Sequence, residues 1–348
     1  MQQYDYDCVG VVGGGSWGTT IAHLLGKSGN KVLLWLRDPQ LIETINRQHQ
    51  NPKYTETMPL SENITAIGDL QQLAQHCAII FVTVPSHGFR EVAYLLGNYV
   101  TGDQIIISGC KGLEANTRCR MTSIIQEETC VKKIGVLAGP NLYKEILQES
   151  PCATVLASHY NEVIQSGRQL FRLPYFKIYG SEDILGVELG SVIQNVIAIA
   201  AGIVDGLGFG MSTKAMLLTR GMIEMGRVGN RMGADPLTFT GLSGLGDMVV
   251  GCCSRLSQDY LVGYGLSQGK NLGQILEETK AAAEGINACK VLYEFTVEER
   301  LDVPIVHGVY QIVHQNKSIR DVIADLMKRN FQFEIDSTLF GSLPKSHG

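Results

Sequence analysis

The sequence predicts an α/β, doubly wound N-terminal domain followed by an all-α C-terminal domain. Three observations carry this expectation. Short β-rich runs alternate with helical patterns over the first half of the chain. A glycine-rich turn, residues 13–18, sits between the first β-rich run and the first helical one. From residue 181 to about Leu326 only helical periodicity remains. The expected division is 1–180 and 181–348, in keeping with 348 residues at about 150 per domain.

Taken in order, Cys8–Val12 reads as a strand, and residues 17–25 as a helix stopped by Ser28-Gly29-Asn30. Residues 31–36 make a second strand. Further β-rich runs lie at 78–84, 104–108, 133–138 and 153–157, with 176–179 as the last candidate. Strands separated by helices point to a parallel sheet. Ser181-Glu182-Asp183 then has the chemistry of a helix start, a hydroxyl to cap and acids to meet the dipole. Residues 187–204 are apolar nearly all round, which predicts a buried helix. Glycines at 206–210 and 241–246 punctuate this second domain.

Composition excludes several classes. With 45% hydrophobic and 18% charged residues the chain is not globally disordered. A net charge of -5 leaves no cationic excess to hold a nucleic acid, so none is expected as a partner. Residues 1–7 are acidic and lack the pattern of a secretory signal. Apolar runs such as 196–201 fall short of the ~20 residues that span a bilayer, so a cytoplasmic protein with no membrane span is expected. None of the nine cysteines forms a Cys-x-x-Cys pair, and most sit in apolar runs; reduced thiols and no metal site are expected.

The strongest chemical signal is Gly13-Gly14-Gly15-Ser16-Trp17-Gly18, directly after a strand and opening a helix, the dinucleotide fingerprint of a Rossmann-type domain. Gly13 permits the tight turn, Gly15 lets a pyrophosphate approach the backbone, and Gly18 allows close helix packing. The helix start offers N–H groups and partial positive charge to the phosphates. NAD or NADP is the implied cofactor. At the end of the second strand, Arg37-Asp38 carries both an arginine suited to a 2′-phosphate and an acid suited to a free 2′-hydroxyl, which leaves the choice open with a lean to NADP.

Over most of its length the chain resembles the bacterial-type NAD(P)-dependent sn-glycerol-3-phosphate dehydrogenases. The matching strings run from the glycine-rich turn through Val84-Pro85-Ser86-His87, Lys111-Gly112-Leu113-Glu114 and Gly139-Pro140. They continue with Asn195 to Gly202, Thr219-Arg220-Gly221 and Gly244-Leu245-Gly246-Asp247. The resemblance implies reduction of dihydroxyacetone phosphate in a cleft between a dinucleotide domain and a helical one. It implies cofactor contacts at Ser16, Trp17, Arg37, Lys111 and Glu284, and substrate contacts at Gly139, Asn195, Asp247 and Ser257, with Lys111 also at the substrate.

Three departures fall on the substrate side. The family's Ala-Leu-Lys-Asn, whose lysine handles the proton, reads Val192-Ile193-Gln194-Asn195, and glutamine has no proton to give at neutral pH. Its Ser-Arg-Asn-Arg-Arg reads Ser257-Gln258-Asp259-Tyr260-Leu261, so a phosphate-holding arginine becomes Gln258 and a carboxylate, Asp259, stands beside it. That carboxylate is expected to repel a phosphate. Its Gly-Pro-Ser-Phe-Ala reads Gly139-Pro140-Asn141-Leu142-Tyr143, placing Asn141 and Tyr143 where small residues are usual.

Lys111 is the expected substitute proton donor, with Asn195 orienting the substrate oxygen. Lys214 is a second candidate, better read as a structural lysine at the surface or a domain interface. His87 reads as a loop or cofactor-edge residue, and His307 and His314 as solvated or core residues. Three functions are expected in competition: a dehydrogenase acting on a less anionic ketone, the family reaction with cations supplied by Lys111 and Arg255, or a non-catalytic NAD(P)H sensor. A small-molecule substrate and a homodimer complete the expectations.

Overall fold

The structure is a computed structural model that describes residues 8–279 and 283–329; the acidic start, residues 1–7, lies outside them. The chain divides into two compact units, Met1–Ile184 and Leu185–Gly348.

The first unit alternates β1 (Cys8–Val12), α1 (Ser16–Lys27), β2 (Lys31–Trp35), α2 (Pro39–Gln48), β3 (Ile64–Ile67), α3 (Leu70–His76), β4 (Ile79–Val82) and α4 (Ser86–Gly97). It continues with β5 (Ile105–Ser108), α5 (Met121–Glu128), β6 (Lys133–Ala138), α6 (Tyr143–Leu147), β7 (Cys152–Ala157), α7 (Asn161–Leu170) and β8 (Phe176–Ser181). The eight strands form one sheet in the order β3-β2-β1-β4-β5-β6-β7-β8. Because successive side chains on a strand face opposite ways, Val9 and Val11 of β1 join one core with Ile21 and Leu24 of α1. Cys8 and Val12 join a second core with Phe89 of α4 and Ile124 of α5. The sheet is thus covered on both faces, the doubly wound arrangement that the sequence predicts.

Two features depart from the sequence reading. β3 was not expected; it is four residues long and edges the sheet against β2, too short to declare itself by pattern. And β7 runs antiparallel to β6, because the chain makes only the short α6 before turning back. The remaining pairings are parallel. Strand order reverses between β1 and β4, the place in an open α/β sheet where the loops beyond the C-terminal strand ends diverge and ligands generally bind.

The second unit comprises α8 (Ile184–Gly206), α9 (Met211–Met232), a 3-10 turn (Pro236–Thr240), a π-helical turn (Leu242–Gly246), α10 (Asp247–Cys253), α11 (Gln258–Ser267), α12 (Leu272–Thr279), α13 (Glu284–Glu298), α14 (Pro304–Gln315) and α15 (Ile319–Met327). Among the described residues it contains no strand. The glycines at 241–246 therefore form a helical turn rather than a plain break. Glu182 and Asp183 stand ahead of α8 rather than inside its first turn, with the Asp183 N–H donating to Ser181 Oγ at 3.2 Å.

By length and composition α8 is apolar enough to cross a membrane, which the short runs counted in the sequence did not convey; here it is almost wholly buried inside the protein. Its backbone approaches α11 so closely that a Cβ on Gly202 would meet the Tyr260 carbonyl oxygen at 2.0 Å, and one on Gly263 the Ile199 carbonyl oxygen at 1.8 Å. Glu224 of α9, fully buried, accepts the backbone N–H groups of Ile305 and Val306 at 2.7 and 3.0 Å, where α14 begins. Burial pushes its carboxyl up to about 8, against the pull of those two bonds.

Candidate active site and cofactor cradle

In the first unit the site is assembled at the C-terminal ends of β1, β4, β5 and β6. Gly13 turns the chain out of β1 with φ +118, a conformation that suits glycine. Thr83, just past β4, donates from Oγ1 toward the carbonyl oxygens of Val12 and Gly13, both at 3.1 Å. A Cβ on Gly18 would stand 1.9 Å from the Gly13 carbonyl oxygen, so helix and turn pack with no room for a side chain. A Cβ on Gly15 would meet nothing within 4 Å. The loop is therefore rigid on its protein side and open at Gly15. No side chain caps α1, whose first-turn N–H groups are left for another acceptor.

Asn51 buttresses this loop from behind. Fully buried, its Nδ2 donates to the Gly14 carbonyl oxygen at 3.0 Å and to Thr19 Oγ1 at 2.8 Å, while its Oδ1 has no partner. Ser16 Oγ donates to the Tyr54 carbonyl oxygen at 3.0 Å. Sequence reading missed Asn51 and Thr83. Asn51 precedes a proline in a polar stretch and reads as a turn, so only the fold reveals its partner.

At the ribose end the two candidate residues divide their work. The Asp38 carboxylate caps α2, accepting the N–H groups of Gln40 and Leu41 at 3.1 and 3.3 Å, with Lys53 at 3.6 Å. Arg37 is exposed beside it. The acid is thus occupied, and two cations flank the position.

Beyond β5, Gly109 lies against the first helix: its Cβ would stand 3.0 Å from Trp17 Nε1, a buried donor without a hydrogen-bond partner. Two residues on, Lys111 Nζ donates to the Gly139 carbonyl oxygen at 3.0 Å, joining the β5 and β6 ends. Gly139 has φ +155 and packs 3.2 Å from Thr154 Cα by its would-be Cβ. Asn141 Nδ2 donates to the Ala153 carbonyl oxygen at 3.3 Å, and its Oδ1 is buried without a partner. His87 is exposed in the first turn of α4.

In the second unit, Gln194 and Asn195 are buried on α8. Gln194 Nε2 donates to the Ser191 carbonyl oxygen at 3.2 Å and to Asn195 Oδ1; its Oε1 is buried and unpartnered. Facing it is Gly251 of α10, where a Cβ would stand 2.3 Å from that Oε1. Asp247, buried, opens the same helix. Ser257 is the cap of α11, its Oγ accepting the Tyr260 N–H at 3.3 Å, and Gln258 beside it is exposed.

Asp259 is buried and accepts the Gly285 N–H at 2.9 Å. A Cβ on Gly285 would also meet the Asn195 carbonyl oxygen at 2.9 Å, so Asn195, Asp259 and the α13 start, with Glu284 as its first residue, come together. The Asp259 carboxyl thus meets the N-terminal, positive end of α13.

Lys214 is buried rather than at the surface, paired with Asp205, which also accepts the Tyr260 hydroxyl at 2.6 Å. His307 and His314 flank the stacked rings of Tyr293 and Tyr310, whose centroids are 3.7 Å apart. Among the described residues, no three His, Cys, Asp or Glu side chains cluster as metal ligands would.

A family model described as NAD-dependent glycerol-3-phosphate dehydrogenase N-terminus matches residues 8–164, and its C-terminal counterpart matches residues 183–324. The chain belongs to the NAD-dependent glycerol-3-phosphate dehydrogenase family. A protein of Citrifermentans bemidjiense named glycerol-3-phosphate dehydrogenase [NAD(P)+] is 39% identical over 94% of this chain and 98% of its own. One of the same name from Staphylococcus saprophyticus is 36% identical over 94% and 99%. The crystal structure of glycerol-3-phosphate dehydrogenase from Coxiella burnetii superposes with a TM-score of 0.88 at 29% identity, covering 92% of this chain and 99% of that one.

As a member of this dehydrogenase family the chain is an NAD(P)-dependent oxidoreductase acting on a CH–OH group. The residues present fit the cofactor: uncapped N–H groups at the α1 start, open space at Gly15, and the orphaned Trp17 donor on the adjoining wall.

Proposed function

We propose that the chain interconverts dihydroxyacetone phosphate and sn-glycerol 3-phosphate with NAD(P). The observation that supports this best is the match of both family models, one on each unit, with relatives of that name aligned nearly end to end. The glycine-rich turn, Ser16 and Trp17 hold the cofactor, with Arg37 at its ribose and Glu284 as a further contact. When bound, it supplies or takes the hydride at the nicotinamide C4.

Lys111 gives the proton to the substrate oxygen, because Gln194 has none to give. Its bond to Gly139 holds the ammonium at the end of β6. Asn195 orients the same oxygen, and Gln194 Nε2 in turn orients the Asn195 carboxamide through Oδ1. Gly139, Asn141, Asp247, Ser257, Gln258 and Asp259 line the substrate. Arg255, stacked over the Tyr264 ring at 5.5 Å, supplies the cation for the phosphate that Gln258 does not.

One observation favours a second reading, a hydroxyl- or amino-bearing ketone of lower charge. Gln194 Oε1 and Asp259 both present buried acceptors where the family carries a cation and a neutral amide. We further propose a cytoplasmic homodimer. None of the nine cysteines is in a disulfide, which suits a reducing compartment, and homodimers are the commonest soluble assemblies.

The deciding assay is NAD(P)H oxidation with dihydroxyacetone phosphate, beside a panel of uncharged and amino-bearing ketones. Turnover of the phosphate supports the first reading, and preference for the panel supports the second. Cofactor binding with no turnover of any ketone overturns both. The combined changes Gln194→Lys, Gln258→Arg and Asp259→Asn are expected to raise activity on the phosphate. Light scattering of the eluted peak in size-exclusion chromatography tests the dimer.

A further inference from the structure

Arg90 on α4 gathers three carboxylates. Its Nε and Nη2 donate to the two oxygens of Glu114, each at 2.8 Å. Nη2 also lies 2.8 Å from Glu127 Oε2, and Nη1 bonds Glu128. Glu127 and Glu128 end α5, where two adjacent acids meet the negative end of the helix dipole and call for a cation. Glu114 is different: it belongs to the loop between β5 and α5.

That loop is folded on itself. Glu114 N–H donates to the Cys119 carbonyl oxygen and Arg118 N–H to the Glu114 carbonyl oxygen, both at 2.9 Å, and Leu113 bridges Arg120. It begins at Gly109, against Trp17, and carries Lys111 three residues before Glu114. An exposed ion pair is ordinarily worth little. This one is bidentate and part of a network, with the Glu114 side chain only 18% exposed. The guanidinium beside it holds the Glu114 carboxyl below the usual carboxylate range.

We propose that Arg90 is a positioning residue for Lys111. Its two-pronged hold on Glu114 and the Lys111–Gly139 bond are anchors three residues apart, and together they fix the ammonium at the β6 end and the Gly109 backbone against Trp17. This inference rests on the role assigned to Lys111 above.

The test uses the full-length enzyme and two readouts. Amide hydrogen exchange over residues 109–114 needs no substrate: Arg90→Ala and Glu114→Gln are expected to raise it at least tenfold. The paired change Glu127→Gln with Glu128→Gln, which loosens α5 but spares the Glu114 bond, is expected to leave it unchanged. In steady-state NADPH oxidation, Arg90→Ala lowers kcat ten- to a hundredfold with little change in KM, millimolar methylguanidinium restores part of it, and Arg90→Lys retains more activity than Arg90→Ala. Should Arg90→Ala fail to fold, Glu114→Gln carries both readouts alone.

Unchanged exchange in the loop, or a loss of melting temperature with kcat intact, overturns the inference. Wild-type activity in Lys111→Met overturns the catalytic reading of Lys111 instead. An inactive Lys111→Met beside a fully active Arg90→Ala leaves that reading standing and removes Arg90 from it.

Discussion

Asp259 Oδ1 accepts the backbone N–H of Gly285 at 2.9 Å, joining the first turn of α11 to the first turn of α13. The bond sets a buried carboxylate on a helix start, so the residue that differs from the family's asparagine has acquired a structural duty. Replacing it by alanine strands a buried N–H. Asp259→Ala is expected to lower stability by about 1–3 kcal/mol, and Asp259→Asn, which keeps an acceptor, by clearly less. Urea denaturation of the two variants checks this; equal midpoints would count against the bond.

The two glycines of the cradle separate folding from binding. Gly18→Ala forces a methyl to within 1.9 Å of a backbone oxygen and is expected to cost about 1–3 kcal/mol or to prevent folding. Gly15→Ala meets no protein atom, so its melting temperature should match wild type while its Kd for NADH rises at least tenfold. Calorimetry and thermal melts distinguish the two, and an unaltered Kd in Gly15→Ala would place the pyrophosphate elsewhere.

Asn51→Leu keeps the volume but removes both donations to Gly14 and Thr19. Stability is expected to fall by about 1–3 kcal/mol, with a weaker hold on NADH as the turn loosens. A variant with normal affinity and normal stability would show that the turn is rigid without its buttress.

Glu224 gives the protein a pH dependence of definite sign. Its carboxyl is raised to about 8 when folded, from 4.5 in the free residue, so the folded state holds the proton more tightly. Its contribution is complete below pH 4.5 and is lost as pH climbs through 8, at a slope of up to about 1.4 kcal/mol per pH unit. Urea midpoints of wild type and Glu224→Gln between pH 6 and 9 should converge as pH rises. Parallel curves would mean that the carboxyl is ionised throughout.

Much of the fold is legible in the sequence because its signals are local. β1 with its glycine turn, the apolar run of α8 and the serine-glycine stop after α1 each carry their own pattern within a dozen residues. β3 and the reversal at β7 are not local: one is a four-residue edge held by β2, the other is decided by how the chain returns after α6. The site divides the same way. Gly13, Gly15 and Gly18 announce themselves by spacing. Asn51, 37 positions from the carbonyl oxygen it supports, and Arg90, 24 from its partner Glu114, acquire meaning only when the chain folds back. The buried acceptors at Gln194 and Asp259 lie between these cases, since their residue types mark a departure but only the packing shows Gly251 and Gly285 facing them.

The apolar length of α8 bears on how the polypeptide is made. Until the helices that cover it, α9 and α11 among them, have been made and folded back, α8 is a greasy segment of bilayer length. A nascent fragment ending near residue 210 should therefore partition into detergent micelles or bind chaperones, whereas the finished chain should do neither.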